Sequence, residues 1–487
     1  MTRLTRVRDA SPSRRPQALR ALAAQGDAYA MGLCQRSGRG IELVDLFYRP
    51  GSPLAPHAVR TAVPPECTEV PSAVAALPRV HWDEREIRDL FGLSFAGHPD
   101  DRRLLLPDPR RTAIFSPRPV PPWHPRVLKQ RDAVHVPVGP VHAGIIESGQ
   151  FHFSIMGETV LQMDARLFWN HRGIEAALEG LGVDEAVTRV ERICASCTVS
   201  HQAALAMAVE SLAGLRPPAR TEAVRLVLLE LERLASHLND LAQLAAGAAL
   251  QVLLMQGMAL RERLLAVQHR HFGHRYLFGT IRPAVPAPTF DAAGLAADLG
   301  PLLEEAAAWM ERLFAHQGFR DRLTGVGRLS PEQVTALGGV GPAARATGIA
   351  ADLRRDLPYG FYPGLVSEPA VRTAGDAMAR AEVRQLEVLE SWRLVREVLA
   401  ELDSLPDRAS AVDAEPLDGA ATGYSESPRG ASFHYVRMRA GRITRYHVRS
   451  ASFANWPLVM VASADNPIGD FPLINKSFEL CYACCDR

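Results

Sequence analysis

Five of the seven cysteines in this 487-residue chain fall in two short clusters, Cys194/Cys197 and Cys481/Cys484/Cys485. Each cluster contains a C-x-x-C spacing, and the turn inside such a spacing aims two sulfurs to one side, where they can share a metal. The pairs stand 287 positions apart, so a site built from both would join distant elements. Zinc is the commonest owner of two such pairs, in tetrahedral structural sites. Those pairs usually sit in a compact ribbon within about 20 residues of each other, far closer than here. Soft thiolates also suit nickel and iron, an isolated pair can work as a redox couple, and one pair alone can simply be two core thiols. Cys34 and Cys67 stand by themselves and read as ordinary buried or surface thiols.

The elements that must position these thiols are mostly helical. Thr221 can cap a helix whose apolar residues Val224, Val227, Leu228, Leu231, Leu234, Leu238 and Leu241 recur with a 3.6-residue period. Similar spacing recurs over 376–402, and two long amphipathic helices imply a bundle as the main core. Residues 21–110 alternate strand-like stretches such as Gly40–Tyr48 with a helix-like segment and Pro-rich turns, which predicts a small α+β domain. Pro117, Pro119, Pro121, Pro122 and Pro125 exclude a helix or central strand and predict a stiff linker. Strand-like residues follow over 134–160 with a turn at Gly157-Glu158, and alternation through Phe433, Tyr435, Val436, Met438 and then Ile443, Tyr446, Val448 predicts a β-hairpin. The expected architecture is an α+β domain over 1–112, a linker over 113–133, and a mainly α large domain with peripheral β-hairpins over 134–487.

Lys plus Arg total 55 against Asp plus Glu 54, a balance that gives no footprint for nucleic acid or a strongly acidic substrate. The basic first twenty residues contain no signal-peptide core. The apolar stretch over 241–254 is interrupted by Gln and Gly and falls short of the roughly 18–20 residues that cross a bilayer. Clustered cysteines in a large chain point to metal or redox chemistry in a reducing compartment. The expected place is cytoplasmic, with any membrane association made through other subunits.

Arg192-Ile-Cys194-Ala-Ser-Cys197-Thr-Val-Ser-His201 and Cys481-Tyr-Ala-Cys484-Cys485-Asp-Arg487 resemble the two signature motifs of nickel-iron hydrogenase large subunits. The similarity is to the complex-I-related, energy-converting branch that includes formate hydrogenlyase. It extends over 134–487 through Gly139-Pro-Val-His-Ala-Gly-Ile-Ile-Glu147, His171-Arg-Gly-Ile-Glu175, Leu229-Glu-Leu-Glu-Arg233 with His237, Gly375-Asp376 with Arg380, Arg384 and Glu387, Ser427-Pro-Arg429 and Ala454-Asn-Trp-Pro457. Residues 83–103, from Asp83-Glu-Arg-Glu86 through Phe91-Gly-Leu-Ser-Phe95-Ala-Gly-His98-Pro99 to Arg103, resemble the signature of the small hydrophilic (thirty-kilodalton-type) subunit of complex I. Alone, such a charged run reads as a solvated face.

The resemblance implies a fold like the hydrogenase large subunit and the forty-nine-kilodalton subunit of complex I, and a Ni-Fe centre whose iron carries diatomic ligands. It implies Cys194 and Cys481 as terminal nickel ligands, and Cys197 and Cys484 as bridges between nickel and iron. Arg429 would project a guanidinium over the open coordination site, Glu147 would begin the proton route, and His201 would hydrogen-bond a bridging sulfur. Glu175 would lie near a second divalent ion (Mg or Fe), although Arg487 replaces the usual histidine ligand there. Asp470 is a further candidate for the surrounding shell. The implied partners are an iron-sulfur small subunit like the twenty-kilodalton subunit of complex I, membrane subunits that hold the complex on the cytoplasmic face of the inner membrane, and a formate dehydrogenase or ferredoxin-like donor. The N-terminal part that resembles the small hydrophilic subunit would dock the catalytic domain onto neighbouring subunits.

The chain departs from the pattern at Ala195, Gln150, Glu479-Leu480 and Cys485, the last a spare thiol able to compete for metal. It ends at Arg487, where relatives often carry an extension removed after nickel insertion; it reads as the mature form or as one that needs no cleavage. Two other functions stay open. A quinone-reducing complex I core subunit shares the Gly139-Pro-x-His142 segment, but it places a quinone-contacting histidine where Ile146 stands and a tyrosine near Cys194. A non-catalytic scaffold could keep the thiolates and hold zinc or nothing.

Overall fold

The structure is a computed structural model that describes every residue except 1, 2, 5, 39, 53, 54, 106–122, 143–146, 367 and 408–416. The chain opens with β1 (Val7–Asp9), α1 (Arg15–Ala24), β2 (Ala28–Ser37), β3 (Gly40–Tyr48), β4 (His57–Val63), β5 (Glu69–Pro71), α2 (His81–Phe91) and β6 (Ser94–Ala96). The first four strands form one sheet in the order β1-β4-β3-β2, with β1 parallel to β4 and the other pairs antiparallel. Nearly every residue of β3 is buried, so this sheet is covered on both faces.

The charged helix α2 is not a solvated face. Asp83, Glu84, Arg85, Glu86 and Asp89 are all buried, and buried charge requires partners. Arg15 bridges Asp45 and Glu84 at 2.7 Å to each, Arg85 lies 3.2 Å from Asp100, and Asp89 accepts the backbone N–H groups of Leu104 and Leu105. The outer side of α2 packs on the large domain, where Trp82 meets Phe168 and Phe453 edge-on and Arg102 pairs with Asp164. The signature run therefore holds the two halves of this chain together.

The Pro-rich stretch up to residue 122 lies outside the described residues. Beyond it, β7 (Val134–Val138), β8 (Gln150–Met156) and β9 (Thr159–Arg166) form an antiparallel sheet, with the expected turn at Gly157-Glu158. Then come α3 (Ile174–Leu178), α4 (Val183–Val190), α5 (Thr198–Leu212), α6 (Ala219–Gly247), α7 (Gln251–Phe272) and α8 (Ala292–Ala315). Four short helices, α9 (Gln317–Leu323), α10 (Pro331–Leu337), α11 (Gly341–Arg345) and α12 (Leu353–Asp356), lead to α13 (Ala377–Glu401). The apolar stripe of α6 is buried throughout, and α6 packs against α7 and α13 as the core of the bundle. Asp376 caps α13 by accepting the N–H of Ala379. Thr221 does not cap α6, which starts at Ala219 behind Pro218. Pro218 fixes an extended residue at that boundary, so the helix begins as soon as the proline is passed.

The chain closes with β10 (Gly419–Ser427), β11 (Gly430–Arg439), β12 (Arg442–Arg449), α14 (Ala451–Ser463) and α15 (Phe471–Phe478). The expected hairpin is the β11–β12 half of a three-stranded sheet. β10 shows no alternation because both of its faces are buried. A Cβ at Gly423 would sit 1.7 Å from the carbonyl oxygen of Ala204, so glycine there lets β10 lie directly on α5.

Candidate metal centre

A short turn, Ala195–Cys197, carries the first cysteine pair into the start of α5. Thr198 Oγ1 donates to the carbonyls of Cys194 (3.0 Å) and Glu191 (3.2 Å), which pins that turn. The second pair follows α15, where Glu479 adopts a left-handed conformation (φ 46°) and reverses the chain. Cys481 N–H donates to Ser452 Oγ (2.9 Å), and the Cys484 carbonyl accepts from Ser450 Oγ (3.1 Å), so α14 anchors this end. The result brings Cys194 Sγ to 3.2 Å from Cys481 Sγ, with Cys484 Sγ in the same 4.8 Å cluster. Cys197 Sγ contacts Cys194 and Cys484 and lies 3.7 Å from Arg429 Nη1.

Thiols packed this tightly cannot all ionise unaided. Hydrogen bonds from Cys197, Cys481 and Cys484 hold the Cys194 thiol well below its ordinary range. The same contacts push the thiols of Cys197 and Cys484 well above it. The bare cluster thus disfavours more than one thiolate, and ionising all four sulfurs calls for cationic charge among them. A largely buried, all-sulfur donor set fits a thiophilic metal. Cys485 does not belong to it: its side chain packs in an apolar cluster with Phe453 and Trp456, which removes it as a competing ligand.

Arg429 comes from the turn between β10 and β11. Its guanidinium lies 3.4 Å from Ser236 Oγ and 3.9 Å from Asp240 Oδ1, and its Nε donates to the carbonyl of Glu479. Burial works against the charge on Arg429, but Asp240 and then the cysteine sulfurs keep it protonated. Burial likewise opposes ionisation of Asp240, yet His237, Arg429 and Arg384 hold its carboxyl at about 2. The sequence motifs do not single out Asp240. The available signal was a carboxylate on the buried stripe of α6, where a charge needs a cationic partner.

A cavity of about 460 Å³ opens over Cys194 and Cys481, lined by Glu147, Glu232, Arg261, Arg429, Glu479 and Tyr482 among others. Partial burial raises Glu147 above the ordinary carboxyl range, opposed by Arg172. Burial pushes Glu232 up to about 8, although Ser200 and the N–H groups of Val199 and Ser200 at the start of α5 all donate to it. His201 reaches the centre from α5, with Nε2 3.8 Å from Cys484 Sγ.

Two expected residues lie elsewhere. Asp470 pairs with Arg322 rather than with any group around the cysteines. Glu175 accepts from His447 Nδ1 (3.0 Å), the N–H of Val448 (2.9 Å) and Arg487 Nε (2.7 Å). Arg487 Nη2 also donates to both oxygens of Glu86, at 2.8 and 2.9 Å. Glu86, Glu175 and His447 are close enough to hold a metal, but the guanidinium already lies across both carboxylates and supplies the positive charge. The pocket therefore does not fit the second divalent ion expected from the resemblance. Arg487→Met, which takes from buried Glu86 the guanidinium that holds both its oxygens and leaves Glu175 to His447 and the Val448 N–H, is expected to cost about 3–5 kcal/mol, read as a lowered midpoint of thermal inactivation; an unchanged midpoint would deny the clamp any weight.

Three families match successive stretches of this chain. Residues 10–114 match the family described as "Respiratory-chain NADH dehydrogenase, 30 Kd subunit", residues 172–250 match "Nickel-dependent hydrogenase", and residues 249–417 match "Respiratory-chain NADH dehydrogenase, 49 Kd subunit". "Formate hydrogenlyase subunit 5" of Escherichia coli (strain K12) is 31% identical over 454 residues, covering 88% of this chain and 79% of that protein. The chain belongs to the fused large subunits of energy-converting hydrogenases. "Carbon monoxide-induced hydrogenase" of Rhodospirillum rubrum is 31% identical over 72% of this chain and 99% of that protein. The fold is shared with a chain of "the membrane-bound sulfane sulfur reductase (MBS), an archaeal respiratory membrane complex", at a TM-score of 0.67 and 24% identity, covering 74% of this chain and all of that one. An NADH-quinone oxidoreductase subunit of Opitutus terrae is 28% identical over 73% of this chain and 91% of its own length, so quinone-linked relatives stand beside the hydrogenases.

Proposed function

We propose that this chain is the catalytic large subunit of a membrane-associated nickel-iron hydrogenase. The observation that carries the reading is the meeting of sulfurs from two motifs 287 positions apart, under a buried guanidinium. Cys194 and Cys481 would hold nickel, while Cys197 and Cys484 would hold both nickel and iron. When bound, the metals supply the two-electron cleavage of dihydrogen, or its formation.

The chain's own residues do the rest. Arg429 presents a fixed positive charge to the cavity from a buried position, where polar groups act strongly. Asp240 orients that guanidinium and balances its charge. His201 donates from Nε2 to the Cys484 sulfur. Glu147, at the cavity wall with its carboxyl raised, exchanges a proton between the centre and bulk water. The favoured reading over quinone reduction rests on the thiols themselves, which have no purpose in that reaction.

Electrons have to leave through a partner. Cys34 is buried in β2 and Cys67 is half-buried, both without a disulfide, and neither joins a second thiol cluster among the described residues. The proposed partner is an iron-sulfur small subunit, itself linked to membrane subunits and to a formate dehydrogenase or ferredoxin-like donor. Among the described residues no helix is long and apolar enough to cross a membrane; the proposed attachment is through other subunits, on the cytoplasmic face.

The reading is tested by assaying the purified complex for hydrogen-dependent dye reduction; activity that tracks nickel content supports it, and a nickel-free complex that reduces quinone contradicts it. Glu147→Gln is expected to keep nickel yet slow hydrogen–deuterium exchange with solvent roughly 10²-fold or more. Exchange at the parent rate would remove Glu147 from the proton route.

A further inference from the structure

His201 is one link of a longer buried chain. Its Nδ1 lies 2.9 Å from His434 Nε2, and His434 Nδ1 lies 2.6 Å from the hydroxyl of Tyr446. His434 sits on β11 and Tyr446 on β12, diagonal neighbours on one face of the sheet. Cys484, His201, His434 and Tyr446 are each no more than 1% exposed. Among the described residues neither ring hydrogen-bonds a carboxylate, and a buried charge needs a partner, so each imidazole is neutral, with one N–H and one lone pair to offer.

That restriction fixes the direction of every bond. A metal-bound thiolate carries no proton and can only accept, so His201 must carry its proton on Nε2 to address Cys484. Its Nδ1 is then an acceptor, which makes His434 the donor from Nε2 and leaves His434 Nδ1 to accept from the Tyr446 hydroxyl. Reversing any one link would set two lone pairs or two protons against each other.

We propose that His434 and Tyr446 are positioning residues that lock the tautomer of His201, and so set the electron density on the sulfur shared by the two metals. The idea rests on the reading of Cys484 as a bridging ligand. Donors arranged in series polarise one another, and groups behind a metal ligand tune its basicity. Among the described residues neither side chain hydrogen-bonds a cysteine sulfur, and the hydrogen-bonded route from both to the centre runs through His201.

Infrared spectra of the intact, metal-loaded complex test this, because the stretches of iron's diatomic ligands report the charge on the shared sulfur. Tyr446→Phe removes one oxygen and leaves the ring. Less hydrogen bonding to sulfur makes the iron richer in electrons, so the bands shift to lower frequency while nickel content stays at the parent level. His434→Gln, with a weaker N–H donor facing His201, shifts them the same way. Bands at parental positions in either loaded variant overturn the proposal and leave the hydrogenase reading standing. Absence of such bands from the parent complex overturns the hydrogenase reading instead.

Discussion

Cys481→Ser is expected to give a complex that assembles without nickel and has no hydrogen turnover, the largest effect of any single change considered. Cys481 Sγ lies 3.2 Å from Cys194 Sγ, and its backbone N–H is held by Ser452 on α14, so the side chain is aimed before any metal arrives. Serine keeps the shape but replaces a soft, ionisable sulfur with a hard oxygen that does not ionise near neutral pH. Cys485→Ser, four residues along, is the matched control. That thiol lies in the apolar core, so nickel content should remain at the parent level. Metal analysis of the two variants separates the outcomes, and full nickel with turnover in Cys481→Ser would remove it from the ligand set.

Arg429→Lys is expected to load both metals and lose activity by about 10²–10³-fold, the scale of removing one pre-aimed electrostatic group from an active site. Arginine here reaches Ser236, Asp240 and the Glu479 carbonyl at once. A lysine ammonium is a point charge on a flexible stem and cannot span those partners in one plane. The change also leaves Asp240 with Arg384 as its close cation, at 3.1 Å. Turnover at the parent rate, with unchanged nickel, would mean that the guanidinium only balances charge.

The cysteine pairs were legible because C-x-x-C spacing is local and dictates where two sulfurs point. The long helices were legible for the same reason, since an apolar stripe on α6 or α13 is written in its own residues. What escaped the sequence depends on partners far along the chain. Glu86 gains its meaning from Arg487, 401 positions away, and His434 from His201, 233 positions away. No local pattern marks such a pair; only the fold does. β10 escaped because burial on both faces erases alternation, and Gly423, which reads as a weak strand residue, is needed for contact with α5. The charged run of α2 misleads by composition alone: carboxylates and arginines usually face water, and here they pair inside the N-terminal half, as Glu84 does with Arg15, or across the seam, as Glu86 does with Arg487.

The hydrogenase reading requires the sulfurs of Cys194, Cys197, Cys481 and Cys484 to bind nickel together, beside iron. Nickel X-ray absorption on the intact complex tests it most directly. Nickel is expected in the isolated complex, with a first shell dominated by sulfur. A complex with no nickel, or nickel ringed by nitrogen and oxygen, would contradict it.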